Sequence, residues 1–328
     1  MPSNTAAWLT KIVIKTKAVA INPVDWAIQA KGDVIFPWLA FPYLGGSDVA
    51  GEVCETGSGV TRFKVGDRVV GLALCLSSAA EAAFQEYTVL RDHMTSHIPN
   101  GLSYESASVI PLGLSTAASG LFQKGMLELQ HPSVPPKPTG KSLLVWGGST
   151  SVGCNAIQLA VAAGYEVITT ASPKNFAYVK KLGASQAFDY SSPTIIPDLI
   201  AAFKGKSLAG ALAIGAVKAG SNFLDKGPAI ACIEVVSASD GNKFVACAGH
   251  PPDDVPEGVS AKFCMSASIT DDEVGKAVFV DFLPKALEEG TFVAAPEAEV
   301  VGKGLESIQG AFEAQMKGVS AKKIVVSL

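Results

Sequence analysis

The chain has 328 residues, 48% of them hydrophobic and 17% charged, with a formal net charge of -4. That composition supplies more than one packed core and excludes a largely disordered chain. The slightly acidic balance excludes the broad basic field that nucleic acid or an anionic membrane surface requires, and no run of about 18 apolar residues offers a membrane span.

The opening "MPSNTAAWLTK" has no charged start followed by an apolar stretch, so a cytoplasmic location is expected. Residues 11 to 21, "KIVIKTKAVAI", are rich in β-branched residues and alternate in part, as a half-buried strand does. Up to about residue 92 the chain continues as short apolar runs punctuated by glycine, which predicts a small barrel or sandwich. Helical spacing follows in "IPNGLSYESASVIPLGLSTAASGLFQKG", and "HPSVPPKPTGK" (131 to 141) reads as a proline-rich surface loop. From 141 onward strands alternate with helices: "KSLLVW", "VGCNAIQLAVAAG", "YEVITTAS", "NFAYVKKLGA", "QAFDY", "GALAIGAV" and "KFVACAG". That order predicts a parallel sheet covered on both faces. The last stretch from 289 returns to strand, helix, strand.

Six cysteines are scattered without a C-x-x-C pair, and His93, His97, His131 and His250 do not cluster with them. Buried thiols and structural or surface histidines are expected, with no metal site.

The most informative stretch is "GGSTSVG", Gly147 to Gly153. It follows the strand "SLLVW" and opens a segment whose apolar residues Val152, Ala156, Ile157, Leu159, Ala160 and Ala163 recur at helical spacing, with Gly164 ending it. A helix start in that position presents N–H groups and a positive dipole end to a pyrophosphate. The middle glycine of the common dinucleotide fingerprint is replaced by Thr150, with Ser149 and Ser151 beside it as further hydroxyl donors. At the end of the second strand, "TTASPKN" contains no acid to hold ribose hydroxyls. Ser172 and Lys174 suit a 2′-phosphate there, with Tyr190 of "FDY" as a neighbour of the same ribose, which points to NADPH. A solvated turn with an ordinary surface lysine is the alternative.

Four stretches together, "GSDVAGEVCETGSGVTRFKVGDRVVG" (46 to 71), "FQEYTVL", "IPLGLSTAASGLFQ" and "GLESIQGAFEAQMKGVSAKKIVVSL", resemble the medium-chain dehydrogenase/reductase superfamily in order. Within it the chain looks like the zinc-free quinone oxidoreductase and enoyl reductase branch, in particular the fungal trans-acting enoyl reductases and toxin-cluster reductases of secondary metabolism. The resemblance implies an α/β fold: a Rossmann-type doubly wound parallel sheet domain (118–291) that binds NADPH, and a GroES-like β-barrel catalytic domain (1–117 with 292–328). It also implies an oxidoreductase that transfers hydride to the C=C of an α,β-unsaturated carbonyl compound or enoyl thioester. NADPH:quinone oxidoreduction and a catalytically idle NADPH-binding protein are the alternatives.

The resemblance further implies that Asn22, Pro23, Val24 and Asp25 border the nicotinamide and that Thr116 lies near its carboxamide or the substrate. Asn22, Asp25 and Thr116 form the implied catalytic set, although their residue types equally suit turns and caps. Ser149, Thr150, Ser151 and Val152, with Ser172, Pro173, Lys174 and Asn175, would hold the phosphates. Ile214 and Gly215 would line the cofactor face, and Val319 to Lys322 would close the site. Zinc-dependent relatives place a cysteine near Asp25 and a His-Glu pair where this chain has Ser47-Asp48, so no metal is expected.

Two departures stand out. Many relatives carry a lysine after "NPVDW", where this chain has Ala27, so the proton would come from another donor such as Lys31, Tyr43 or solvent. A hairpin that relatives carry is missing between Leu9 and Ile12, which predicts an exposed strand edge and lower stability, testable by a thermal melt. Small-molecule enones, enoyl thioesters or quinones are the expected partners. The chain is expected to be a monomer or a homodimer, with "AKFCMSASI" (261 to 269) as the edge a dimer would use.

Overall fold

The computed structural model describes residues 9–215 and 225–328. The first part of "AAWLT" and the last two residues of "GALAIGAV" lie outside them. In chain order the first elements are β1 (Lys11–Ala20), α1 (Pro23–Ile35), β2 (Asp48–Thr56), β3 (Arg68–Leu72), β4 (Tyr87–Arg91), β5 (Thr95–His97) and α2 (Tyr104–Ala107). Next come α3 (Pro111–Phe122), β6 (Lys141–Trp146), α4 (Ser151–Ala162), β7 (Glu166–Ala171), α5 (Phe176–Lys181), β8 (Gln186–Asp189), α6 (Ile195–Phe203), β9 (Ser207–Ala213) and α7 (Gly227–Ala238). They are followed by β10 (Phe244–Cys247), β11 (Ser260–Phe263), α8 (Glu273–Lys276) and α9 (Leu283–Glu288), and the chain closes with β12 (Glu297–Lys303), α10 (Ile308–Met316) and β13 (Lys322–Ser327). Contacts divide the chain into Met1–Pro111 with Ala298–Met316 and Lys323–Leu328, and Leu112–Glu297 with Lys317–Lys322.

The first unit is an antiparallel sheet in the order β12-β13-β1-β2-β3-β5, with β4 pairing β1. The alternation read from "KIVIKTKAVA" appears as burial in the first part of the strand: Ile12, Ile14 and Thr16 are buried, while Lys15 is exposed. Gly51 permits the close approach of β1 and β2, since a Cβ there would sit 2.3 Å from the Lys15 carbonyl oxygen. β1 is not the exposed edge that a lost hairpin predicts. Its first half pairs β4 and β2, and its second half pairs β13 and β2. Among the described strands β4 pairs only β1, and Tyr87 on it is half exposed.

α1 is a helix where the sequence predicts short strands. Pro23 supplies a fixed φ at its first position, but Gly32 and Val34 disguise the helical pattern, and Lys31 breaks it with φ -150°.

The second unit is a parallel sheet in the order β11-β10-β9-β6-β7-β8. Its central strands are apolar on both faces: Leu143, Leu144 and Val145 of β6 and Val167 and Ile168 of β7 are fully buried. From β6 the chain builds outward through β7 and β8, then returns to the other side of β6 for β9, β10 and β11. The order therefore reverses between β6 and β9, and the crevice at such a reversal is where open α/β sheets take their ligands. Here β9 begins three residues before "GALAIGAV" and ends at Ala213, so Ile214 and Gly215 follow the strand rather than belonging to it. Helices α6 and α7, which the sequence reading passed over, cover the sheet through Leu199, Phe203, Cys232 and Val236.

Candidate active site

The turn between β6 and α4 is held by its own residues. Gly147 adopts φ +85°, and a Cβ on it would lie 2.5 Å from the Ile214 carbonyl oxygen at the end of β9. Its N–H donates to Thr170 Oγ1 at 3.0 Å, and the Gly148 N–H donates to the Thr170 carbonyl at 2.8 Å. The turn is thereby tied to the ends of β7 and β9 on either side.

Thr150 explains the absent middle glycine. Its backbone is extended, its Oγ1 donates to the Gly147 carbonyl at 2.8 Å, and the same Oγ1 accepts the Gly153 N–H at 3.0 Å. It is the N-cap of α4, and its hydroxyl hydrogen serves the turn. Thr150 thus shapes the turn from within, between Ser149 and Ser151. Gly153 has no room for a side chain, since its Cβ would fall 2.2 Å from the Gly147 oxygen.

The remaining residues expected around a cofactor in this unit gather at the carboxyl ends of the same strands. Ser172, Pro173, Lys174 and Asn175 follow β7, Tyr190 follows β8, and Ile214 and Gly215 follow β9. Ser172 Oγ and Tyr190 Oη are 3.0 Å apart, and Lys174, two residues after Ser172, is exposed. Asp189, the acid at the end of β8, is engaged locally, accepting from the Ser191 N–H at 2.9 Å and its hydroxyl at 2.7 Å. Asn175 Nδ2 donates to Ser320 Oγ at 3.2 Å, which brings Val319 to Lys322 to the end of β7. Lys322 itself pairs with Glu297 at 2.7 Å. Thr116 is half-buried on α3, where Oγ1 donates to the Leu112 carbonyl at 2.8 Å. Gly113, one turn earlier, packs α3 against Ser151 and Asn155 of α4.

In the antiparallel unit, Asn22 and Asp25 belong to a buried polar cluster. Asn22 Nδ2 donates to Asp48 Oδ2 at 2.8 Å, and its Oδ1 accepts from Lys323 Nζ. Lys323 also pairs with Asp48 at 2.9 Å. The residues come from the end of β1, the start of β2 and the start of β13, which the register brings together: Ala20 opposes Asp48, and the Ile21 N–H donates to the Ile324 carbonyl at 2.9 Å. Asp25 Oδ2 accepts the Asn22 N–H at 2.7 Å, the carboxylate half of a capping box. Burial pushes the Asp25 carboxyl up to about 7, with the Asp48 charge adding to the rise. Pro23 and Val24 are half-buried between these two residues, and Ala27 is buried.

Of the alternative proton donors, Lys31 is exposed at the kink of α1, and Tyr43 turns its hydroxyl inward. Burial raises the Tyr43 hydroxyl well above its usual range, so it holds its proton firmly. Ser47, where zinc-dependent relatives carry histidine, shares a 3.3 Å contact with Cys75 Sγ. Lys323 and Cys75 had no distinguishing signal in the sequence; only the register of β13 against β1 makes Lys323 a neighbour of Asn22.

The family model for the alcohol dehydrogenase GroES-like domain matches residues 9–100. The dehydrogenase pigH of Monascus ruber is 51% identical over 379 aligned positions that cover all of both chains. The alignment exceeds the 328 residues here, so that relative has segments this chain lacks. The trans-enoyl reductase himH of Aspergillus japonicus is 38% identical over 97% of this chain and 90% of its own. Among solved structures, an alcohol dehydrogenase superfamily protein from Novosphingobium aromaticivorans superposes with a TM-score of 0.75 at 21% identity, covering 100% of this chain and 94% of that one.

Proposed function

Because this chain belongs to the medium-chain dehydrogenase/reductase superfamily, in the branch of quinone oxidoreductases and enoyl reductases, we propose that it is a zinc-independent, NADPH-dependent reductase. Its substrate on this reading is the C=C of an α,β-unsaturated carbonyl compound or enoyl thioester. The observation that carries the cofactor choice is the end of β7 and β8: the hydroxyls of Ser172 and Tyr190 meet, exposed Lys174 follows two residues after Ser172, and Asp189 already accepts two bonds from Ser191 on Oδ1. Two hydroxyls and a cation suit a 2′-phosphate dianion, whereas ribose hydroxyls call for a carboxylate acceptor.

NADPH would supply the hydride, and the protein supplies placement. Ser149, Ser151 and the first turn of α4 would receive the pyrophosphate, with Thr150 holding the turn rigid from within. Asn175, through Ser320, fixes the segment from Val319 to Lys322 against that end of the sheet. Asn22 and Asp25 would set the start of α1 beside the nicotinamide, and Thr116 would stand near its carboxamide or the substrate.

Zinc independence follows from the donor set. The positions that resemble zinc ligands, near Asp25 and at Ser47 and Asp48, offer no cysteine or histidine pair, and the ammonium of Lys323 already binds Asp48 and its neighbour Asn22. A dication there would meet a buried positive charge. Without a Lewis acid, hydride addition to an activated C=C is easier than carbonyl reduction, because the charge spreads into an enolate that hydrogen bonds and a proton satisfy.

The test is a fluorescence titration with NADPH and NADH, followed by enones, enoyl thioesters and quinones in the same cuvette. Wild-type protein should bind NADPH selectively and oxidise it with an enone or enoyl thioester. A Ser172→Ala/Lys174→Ala double variant should lose roughly 10- to 100-fold in NADPH affinity with NADH binding unchanged. Oxidation with quinones alone would favour the quinone reading. Binding without turnover would identify the idle protein that Ala27 and the missing segments suggest.

A further inference from the structure

The buried cluster at the end of β1 contains two carboxyl groups, Asp25 and Asp48, facing one ammonium, Lys323. All three side chains are at least nine-tenths buried. Lys323 is shared between Asp48 and Asn22. Asp25 Oδ2 is used by the Asn22 N–H, and Oδ1 is buried with no hydrogen-bond partner. A buried carboxylate oxygen without a donor is the costlier state of an acid, whereas a protonated carboxyl carries no charge to solvate. With Asp25 neutral, Asp48 and Lys323 balance. With Asp25 ionised, a second negative charge competes for the ammonium that holds the Asn22 side chain.

We propose that Asp25 is a positioning residue that carries a proton in the working protein, and that losing this proton unseats Asn22 and with it the first turn of α1. The link to catalysis rests on the reading that this turn borders the nicotinamide; the protonation itself does not. The groups facing Asp25 support the assignment. Asp48 from β2 disfavours its charge, Lys323 from β13 and the Asn22 N–H favour it, and the Gly46 N–H favours it from outside hydrogen-bond geometry. Tyr43 and Cys75, in the loops beside it, are each driven up by burial and also by the Asp25 charge, so both stay protonated. α10 meets α1 through neutral side chains, Trp26 with Gln315 and Gln29 with Gln309. Burial outweighs the favourable contacts and brings the carboxyl to about 7.

The sign of the pH dependence follows. A carboxyl raised in the folded state binds its proton more tightly than in the unfolded chain, so stability is greatest below the ordinary carboxylate range and falls as pH rises toward about 7. Thermal midpoints of the wild type and Asp25→Asn should be compared from about pH 5 to about pH 9. Asn copies the neutral acid in shape and cannot ionise. The wild-type midpoint should fall up to about pH 7 and this contribution should level off above it, and the variant's fall below about pH 7 should be markedly smaller; equal slopes below about pH 7 would overturn the proposal. A second readout covers the case where Asp25→Asn does not fold. Infrared spectra of the wild type should show a protonated-carboxyl band at about pH 6 that disappears by about pH 8, and its absence at about pH 6 would overturn the proposal. Neither readout depends on NADPH or turnover, so failure of the reductase reading would leave the result on Asp25 standing.

Discussion

The antiparallel unit buries charge at both ends of β1, with opposite imbalance. At the start of the strand, Glu81 is buried between Lys11 and Arg91, which are direct cross-strand partners. Like charges so placed repel, and the carboxylate between them turns the repulsion into a clamp between β1 and β4. Both cations keep about a quarter of their side-chain surface in water. At the far end the surplus is acidic and has no such outlet, since Asp25, Asp48 and Lys323 are all buried. A surplus that reaches solvent is relieved by hydration; one that does not is relieved by a proton.

The largest effect is expected from Lys323→Met, which leaves Asp48 without its ammonium: a loss of about 3–5 kcal/mol in chemical denaturation. Adding Asp48→Asn to that variant should recover a substantial part of the loss, because the uncompensated charge is gone. A double variant no more stable than Lys323→Met would show that packing, not charge, governs this end. Glu81→Gln should cost less, about 1–3 kcal/mol, because the two cations it strands can turn to water. Were it to cost as much as Lys323→Met, the contrast between the two ends would fail. Thr150→Ala, in the parallel-sheet unit, supplies a reference without charge. Losing the bonds to Gly147 and Gly153 should cost about 1 kcal/mol, read as a lower denaturation midpoint.

The glycine turn before α4 was legible in the sequence because every part of its signal is local. A strand of apolar residues, Gly147, and helical spacing from Val152 lie within one βα unit, and the parallel sheet follows from repeating such units. Even there, a hydroxyl in a turn is equally a donor to a ligand or a cap, and only the distances to Gly147 and Gly153 reveal Thr150 as a cap. α1 escaped notice because glycine and β-branched residues weaken its pattern, and its burial comes from contacts such as Trp26 with Gln315 that lie far along the chain.

By itself the sequence determined the α/β class, the place of the glycine turn before α4 and the absence of an acid directly after β7, since each depends on residues close together in the chain. The tertiary structure decided which charges share a site. Asn22 and Asp48 are 26 positions apart and Asn22 and Lys323 are 301, and they meet because β1 pairs with β2 on one side and with β13 on the other. Whether Asp25 keeps its proton follows from that burial, which is a property of register and packing.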